Sequence, residues 1–353
     1  MKIFHISYFG KKRLVTGIVE AVMNLAKCQR DTGADVKVFI PFDHPFADGK
    51  YVVLIQSFLF LAKTIIIERP DIVVFDGMYD KYQIRTSFLL KILKIPYLIV
   101  FHGGASKDNE KRNYFKKKIA NLLFFNRFVH WANKVVYLSE YEKERSIFRK
   151  QAPNDCIIPN GVNIPPEEEM TFIPGKIRIL FLSRLDWYGK GLDVLCEAMK
   201  LLYDAGYASR IKFNFYGRKE SENCEQLFQF GKMSTYYGYV EGKGKAEAYK
   251  DADLFILPSR SEGMPVAVLE ALSYGLPCIL TPETNMAFLV TEHQCGWLVN
   301  ISSKDIYNTI VKIVDTHFEN RKVLYENCRK TAKLFDWNDV ASRSIMIYKE
   351  VLK

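Results

Sequence analysis

Two doubly wound α/β domains facing each other across a cleft are what this sequence predicts, and three observations carry the prediction. Short β-branched and aromatic runs alternate with longer helical patterns from end to end, as in parallel sheets built of βαβ units. The alternation pauses once, at "IPNGVNIPPEEEMTFIPGK", where Pro159, Pro165, Pro166, Pro174 and Gly175 crowd an acidic patch. Each side of that pause opens the same way, a strand and turn feeding a helix: "ISYFGKKRLVTGIVEAVMNLAK" before it and "ILFLSRLDWYGKGLDVLCEAMKLL" after it.

In order, the strand candidates are "KIFHISY", "DVKVFIP", "DIVVFD", "YLIVFHGG" and "KVVYLSE", then "IRILFLSR", "IKFNFYG", "DLFILPS" and "PCILTP". They divide the chain into residues 1–160, residues 161–335 and a closing segment 336–353. The last, "FDWNDVASRSIMIYKEVLK", reads as an amphipathic helix capped by Asp336 or Asn338 and packing back on the first domain.

A chain of 353 residues that is 48% hydrophobic can bury two substantial cores, so extensive disorder is excluded. The N-terminal "MKIFHISYFG" lacks a cleavage site and reads as a strand, not a signal peptide. The longest apolar segment, "YVVLIQSFLFLAKTIII", is broken by Gln56, Ser57 and Lys63 and falls short of the ~20 apolar residues that span a bilayer. Seven scattered cysteines with no CxxC pair fit reduced thiols in a cytosol. The net charge of +10 points to an anionic partner without choosing between nucleotide, nucleic acid and membrane.

The stretch "PSRSEGMPVAVLEALSYGLP" narrows the choice. Its strand ends at Pro258, Pro265 suits the first turn of the following helix, and Glu262 falls in the loop between them. Glu270 lies about a turn and a half into the helix, and helical side chains lean toward the N-terminus, so both carboxylates are expected to line one mouth. Unpaired N–H groups at Val266 and its neighbours, with the positive end of the helix dipole, suit a phosphate there. Two carboxylates beside a phosphate make sense if each accepts hydrogen bonds from flanking hydroxyls, at about 1.5–3 kcal/mol apiece. A diphosphate with polyols at both ends, a nucleotide-activated sugar, meets that description. Arg184 at the end of "IRILFLSR" and Lys190 in "DWYGKGLD" project from the same carboxyl edge of the sheet and supply the neutralising cations.

These segments are similar to those of a known family. "SEGMPVAVLEA" resembles the E-x7-E motif of the family 4 retaining glycosyltransferases, and "SRLDWYGKGLD" their Arg and Lys segment; "YGYVEGKGKAEAYKDADLFILPSRSEG", "FHGG" and "IPNGVN" match in order along nearly the whole chain. The resemblance implies a GT-B fold, with an acceptor-binding N-terminal domain and a nucleotide-sugar-binding C-terminal one. It implies catalytic roles for His102, Arg184, Lys190 and Glu262, with His102 near the anomeric carbon. Donor contacts are implied for Gly17, Arg184, Lys190, Tyr239, Val240, Glu262, Gly263, Met264, Val266 and Glu270, of which Tyr239 and Val240 would meet the base and Glu270 the ribose. It further implies retention of anomeric configuration, no cofactor or essential metal, and a nucleotide diphosphate sugar as donor, a UDP-sugar ahead of a GDP-sugar. The acceptor would be a glycan or a polyprenyl-diphosphate-linked glycan in bacterial surface polysaccharide synthesis, met in the cytoplasm or on the inner face of the plasma membrane.

The chain departs from the family pattern twice. Its first turn, "FGKKRLVTGIVEAV", lacks the Gly-Gly pair and leaves Gly17 as the match, and Pro265 removes one backbone donor from the motif. Neither first turn contains G-x-G-x-x-G, which argues against a dinucleotide oxidoreductase. "DAD" at Asp251 to Asp253 has the spacing of a Mg²⁺ site, but it precedes its strand and so falls at the edge opposite Glu262.

In "KRNYFKKKIANLLFFNRFVHWANK", Lys116, Lys117, Lys118 and Arg127 mix with Phe124, Phe125, Phe128 and Trp131. That pattern fits either a helix lying on an anionic membrane or a core helix with a solvated lysine face. RNA-binding signatures are lacking, so nucleic acid is not an expected partner. The rival functions are another GT-B enzyme, such as a sugar-nucleotide epimerase or a glycogen-synthase-like polymerase, and a non-catalytic sugar-nucleotide-binding protein.

Overall fold

The computed structural model describes residues 1–7, 17–41, 48–106, 114–152, 154–167, 175–316 and 318–353. Most of the first glycine turn and the middle of the acidic linker lie outside these residues. The described chain forms two compact units, one of Met1–Gly161 with Trp337–Lys353 and one of Val162–Asp336.

In the first unit, β1 (Lys2–Ser7), β2 (Asp35–Ile40), β3 (Val52–Leu54), β4 (Ile72–Asp76), β5 (Tyr97–Val100), β6 (Lys134–Tyr137) and β7 (Asp155–Ile157) form one sheet in the order β3-β2-β1-β4-β5-β6-β7. Every pairing is parallel. A parallel sheet is covered on both faces, which is why β1, β4, β5 and β6 are buried along almost their whole length, with His5, Ser7 and Asp76 enclosed among apolar residues. The strand order reverses between β1 and β4, where Ser7 is in register with Asp76. Crevices at such reversals are where open α/β sheets hold ligands.

Right-handed crossovers then decide which helix covers which face. The chain runs outward from β1 to β3 and returns across the sheet to β4. Helices Phe58–Glu68 and Lys81–Leu93 and the helical stretch 114–130 therefore share one face, and Gly17–Asp31 lies on the other. Local chemistry fixes their ends: Ser57 caps the first by accepting the Phe60 N–H, and Asp80 with Gln83 forms a capping box on the second.

The second unit repeats the design. Strands β8 (Ile177–Leu182), β9 (Ile211–Tyr216), β10 (Ser234–Gly238), β11 (Leu254–Leu257), β12 (Cys278–Leu280) and β13 (Gly296–Leu298) pair in parallel in the order β10-β9-β8-β11-β12-β13. The reversal falls between β8 and β11, the two strands whose loops carry Arg184, Lys190 and Glu262.

Two details correct the expectations. Pro265 is the N-cap of helix Val266–Ser273 and not its first helical residue; its ψ of 117 is extended, while its φ of −67 leads smoothly into the helix. The closing helix spans Trp337–Val351, so of the two expected caps Asp336 holds the position just before the helix and only Asn338, which lies within it, is excluded. "YVVLIQSFLFLAKTIII" divides into β3 and helix Phe58–Glu68, and no helix of the described residues is long and apolar enough to cross a membrane.

Candidate active site

At the reversal in the second unit, two loops are laced together. After β8 the chain makes a tight turn in which the Asp186 carboxylate accepts the Gly189 N–H (3.0 Å) and the Lys190 N–H reaches the Asp186 carbonyl (3.0 Å). Gly191 closes the turn at φ +66, and a Cβ there would stand 2.0 Å from the Pro258 carbonyl oxygen, so only glycine fits. Gly191→Ala is expected to destabilise the protein by about 2 kcal/mol or more. A lowered urea midpoint at unchanged slope would register this, and an unmoved midpoint would show that the turn relaxes at no cost.

The loop after β11 is fastened to that turn by Arg260. Its N–H donates to the Gly189 carbonyl (3.0 Å), and its guanidinium grips both oxygens of Asp193 (2.7 Å each) while donating to the Tyr188 carbonyl (2.6 Å). The guanidinium also stacks 4.0 Å above the Tyr188 ring. Asn285 secures the far side, its amide donating to the carbonyls of Glu262 (2.6 Å) and Gly263 (3.1 Å).

Within this frame Lys190 and Glu262 meet directly, Nζ to Oε1, with side chains only 11% and 13% exposed. The Ser259 hydroxyl donates to the same glutamate oxygen (2.6 Å). Two charges so nearly desolvated are costly unless each finds its partner. Arg184 is placed differently. It is half exposed on the same sheet edge, and its Nη1 donates to both oxygens of Glu220 (2.9 and 3.0 Å).

Glu270 does not join the Lys190–Glu262 pair in this structure. It accepts from the Tyr249 hydroxyl (2.9 Å) and pairs with Lys245 Nζ (2.6 Å), both on helix Gly242–Lys250. Met264 and Val266 are buried, and Gly263 is half-buried beside them. Val266 and Ala267 open the helix, so their N–H groups lack an intrahelical acceptor. Tyr239 is exposed with the Arg218 guanidinium 4.5 Å over its ring, and Val240 is half-buried.

In the first unit, His102 follows β5 at φ +49, an unusual conformation for a side-chain-bearing residue. The Glu142 carboxylate holds that turn by accepting the Gly103 N–H (2.6 Å) and the Leu138 N–H (2.6 Å). Burial raises the pKa of Glu142 above the usual carboxylate range, against the pull of those two N–H donors. Gly17 begins helix Gly17–Asp31, is exposed, and has nothing within 4 Å of where a Cβ would stand, so no steric demand for glycine acts there.

Asp251 and Asp253 lie at the opposite end of β11, engaged by Arg178 (2.7 Å to Asp251; 3.0 and 3.1 Å to Asp253). Among the described residues no three His, Cys, Asp or Glu side chains are grouped so as to hold a metal ion.

Sequence reasoning missed Ser259, Arg260, Asn285 and Glu220. "PSRSEG" carried a signal for the first two, since polar side chains flanking a loop glutamate are available to pin it. Asn285 and Glu220 lie in loops distant in sequence, with no local pattern to mark them.

Comparison with known proteins gives this geometry its family. The profile described as "Glycosyltransferase Family 4" matches residues 15–164, and that described as "Glycosyl transferases group 1" matches residues 176–316. The chain belongs to the family 4 glycosyltransferases and has their GT-B fold of two Rossmann-like domains. An uncharacterized 41.2 kDa protein in the cps region of Klebsiella pneumoniae is 25% identical over 318 residues, covering 85% of each chain. The N,N'-diacetylbacillosaminyl-diphospho-undecaprenol alpha-1,3-N-acetylgalactosaminyltransferase of Campylobacter jejuni is 24% identical over 347 residues, 92% of this chain and 88% of the relative. Among solved structures, Anabaena Alr3699/HepE in complex with UDP-glucose superposes with a TM-score of 0.76 at 16% identity, covering 99% of this chain and 100% of the other, a likeness of fold.

Proposed function

We propose that this glycosyltransferase moves a hexose or N-acetylhexosamine, with retention of configuration, from a nucleotide diphosphate sugar to a hydroxyl of a glycan or polyprenyl-diphosphate-linked acceptor in surface polysaccharide synthesis. The observation that carries the reading is the Lys190–Glu262 pair, held beside the N-terminus of helix Val266–Ser273 at the strand-order reversal. A diphosphate entering there offers Lys190 a doubly charged partner in place of one carboxylate. Glu262, freed from the ammonium, then accepts hydrogen bonds from hydroxyls of the transferred sugar. Arg184, on an exposed and weak pair with Glu220, is free to swing to the same phosphates, because exposed ion pairs contribute about 0–1 kcal/mol. As the glycosidic bond breaks, negative charge gathers on the departing phosphate, where fixed cations are most effective.

Glu270 carries over as the ribose contact, Tyr239 and Val240 as the base contacts, and Gly263, Met264 and Val266 as backbone contacts to phosphate. Gly17 and His102 are the first domain's contributions, His102 toward the anomeric carbon. No protein cofactor is required, and a UDP-sugar is the favoured donor; the C. jejuni relative's name specifies a diphospho-undecaprenol acceptor, which supports the lipid-linked alternative here.

A lipid-linked acceptor calls for a membrane surface, and the first unit offers one of suitable chemistry. In helix Tyr114–Ala120 and the π-helical turn Asn121–Phe125, Phe115 (78% exposed), Ile119, Leu122 (76%), Leu123 and Phe124 face outward, while Phe125 and Phe128 are buried. The sequence had grouped Phe124, Phe125 and Phe128 together; in the fold only Phe124 joins the outward set. Leu59, Ile67 and Ile92 add exposed apolar groups from the two helices on the same sheet face, and Lys63, Lys91, Lys94, Lys116 and Lys118 are exposed on or at the ends of the same helices. Exposed apolar side chains and lysines on the same elements suit an anionic lipid surface.

A panel of UDP- and GDP-sugars, assayed for nucleotide release and ligand-induced thermal shift, tests the donor half of the proposal. One donor is expected to give both signals, with product appearing only when acceptor is added. A shift without release on any acceptor would point to a binding protein, and conversion of donor alone to an epimerase.

A further inference from the structure

Beneath His102 lies a buried polar chain that no step above uses. Asp76, at the carboxyl end of β4, is 1% exposed. Its Oδ2 accepts from the Ser7 hydroxyl (2.7 Å) and His5 Nδ1 (3.0 Å), and its Oδ1 faces His102 Nε2 at 3.4 Å. The other nitrogen of His5 lies 3.0 Å from Gln29 Oε1, and the Gln29 amide donates to Ser344 Oγ (2.9 Å) on the closing helix. Ser344 in turn donates to the Ala341 carbonyl (2.7 Å). His5, Gln29 and Ser344 are fully enclosed.

An enclosed carboxylate is normally neutralised or paired. Burial alone would raise the pKa of Asp76, yet His5 and His102 hold it well below the usual carboxylate range. An ionised carboxylate only accepts hydrogen bonds, so the imidazole nitrogen that faces it carries a proton. For His102 that nitrogen is Nε2, which leaves Nδ1 as the ring's remaining acceptor. The turn that presents the ring is itself fixed, by Glu142 on the Gly103 N–H and by the Gly104 N–H on the Phe101 carbonyl (2.9 Å).

We infer that Asp76 is a positioning residue for His102: anchored by Ser7 and by the His5–Gln29–Ser344 chain, its carboxylate sets the rotation and tautomer of the His102 ring so that Nδ1 is offered as an acceptor to a hydroxyl of the transferred sugar. Asp76 touches no substrate and acts only through His102. The alternative tautomer would present an N–H to that hydroxyl, and the fixed carboxylate disfavours it. The inference deepens the proposed function and rests on its assignment of His102 to the sugar.

Two measurements on the full chain test it. In protein labelled with ¹⁵N-histidine, with the His102 signals assigned from a His102→Asn spectrum, Nε2 is expected to be protonated and Nδ1 bare. The opposite tautomer in the wild type would overturn the inference. This measurement needs no Asp76 variant, and so stands even where Asp76→Asn fails to fold. With the donor found by the nucleotide-sugar panel, Asp76→Asn is expected to lower kcat about 10–100-fold, the range for losing a partner that orients a functional histidine, at unchanged donor KM. In a His102→Asn background the same substitution should change nothing further, since it acts through the missing ring. An equal loss in both backgrounds would show Asp76 acting elsewhere and sink the inference. Wild-type turnover in His102→Asn alone would instead remove His102 from the proposed function, a different failure that the tautomer measurement does not share.

Discussion

Lys190→Ala is expected to lower turnover about 100–1,000-fold, the usual consequence of removing one fixed group that stabilises developing charge, or roughly 3–4 kcal/mol. The loss should fall on kcat more than on donor KM, because charge on the departing phosphate peaks in the transition state. Folding stability will drop as well, since Glu262 is only 13% exposed and would keep Ser259 but lose its cation. A pair of substitutions separates these effects. In Lys190→Met with Glu262→Gln, no charge is left stranded, and thermal stability should recover toward wild type. Turnover should stay low. If activity returned with stability, the pair would be a structural brace and the donor site would have to be sought elsewhere.

Lys116, Lys117 and Lys118→Glu together are expected to reduce binding to anionic vesicles on the order of 100-fold. Each lysine near an anionic surface contributes about 1 kcal/mol, and reversing its sign adds repulsion. Lys116 and Lys118 are exposed, Lys118 lying 5.4 Å over the Tyr114 ring, and Lys117 lies 5.1 Å over the Tyr79 ring. Thermal stability should therefore change little. A companion variant, Phe115→Ser with Leu122→Ser, removes apolar contacts in place of charge. It should weaken binding to neutral and anionic vesicles alike, whereas the lysine variant matters most when the lipid is anionic and the salt low. Vesicle binding that survives both variants would leave the exposed apolar side chains unexplained and remove the membrane from the proposal.

Much of the geometry of the candidate site was legible in the sequence because it is local. A strand followed by a glycine-containing turn and a helix has few ways to fold, so "DWYGKGLD" and "PSRSEGMPVAVLEA" put Lys190 and Glu262 in two loops at the carboxyl edge of one sheet. The short edge strands β3, β7, β10 and β13 escaped notice for a related reason. At three to five residues each they show too little periodicity to stand out, and pairing with a longer neighbour is what defines them. The helical stretch 114–130 misled for another. Its π-helical turn at Asn121–Phe125 shifts the phase of the faces, sending Phe124 outward and Phe125 inward where residue type alone put them together.

By itself, then, the sequence determined the two parallel sheets, their inner strands and the loops from which Arg184, Lys190, Glu262 and His102 project, because strand and helix patterns and turn residues act over a few positions along the chain. Only the tertiary structure decided the partners: Lys190 with Glu262, Arg184 with Glu220, Glu270 with Tyr249 and Lys245, and Asp76 between His5 and His102. Those pairings join residues as many as 72 positions apart. Burial selects them by the cost of leaving a charge or donor unsatisfied, and that cost exists only once the sheets have closed around it.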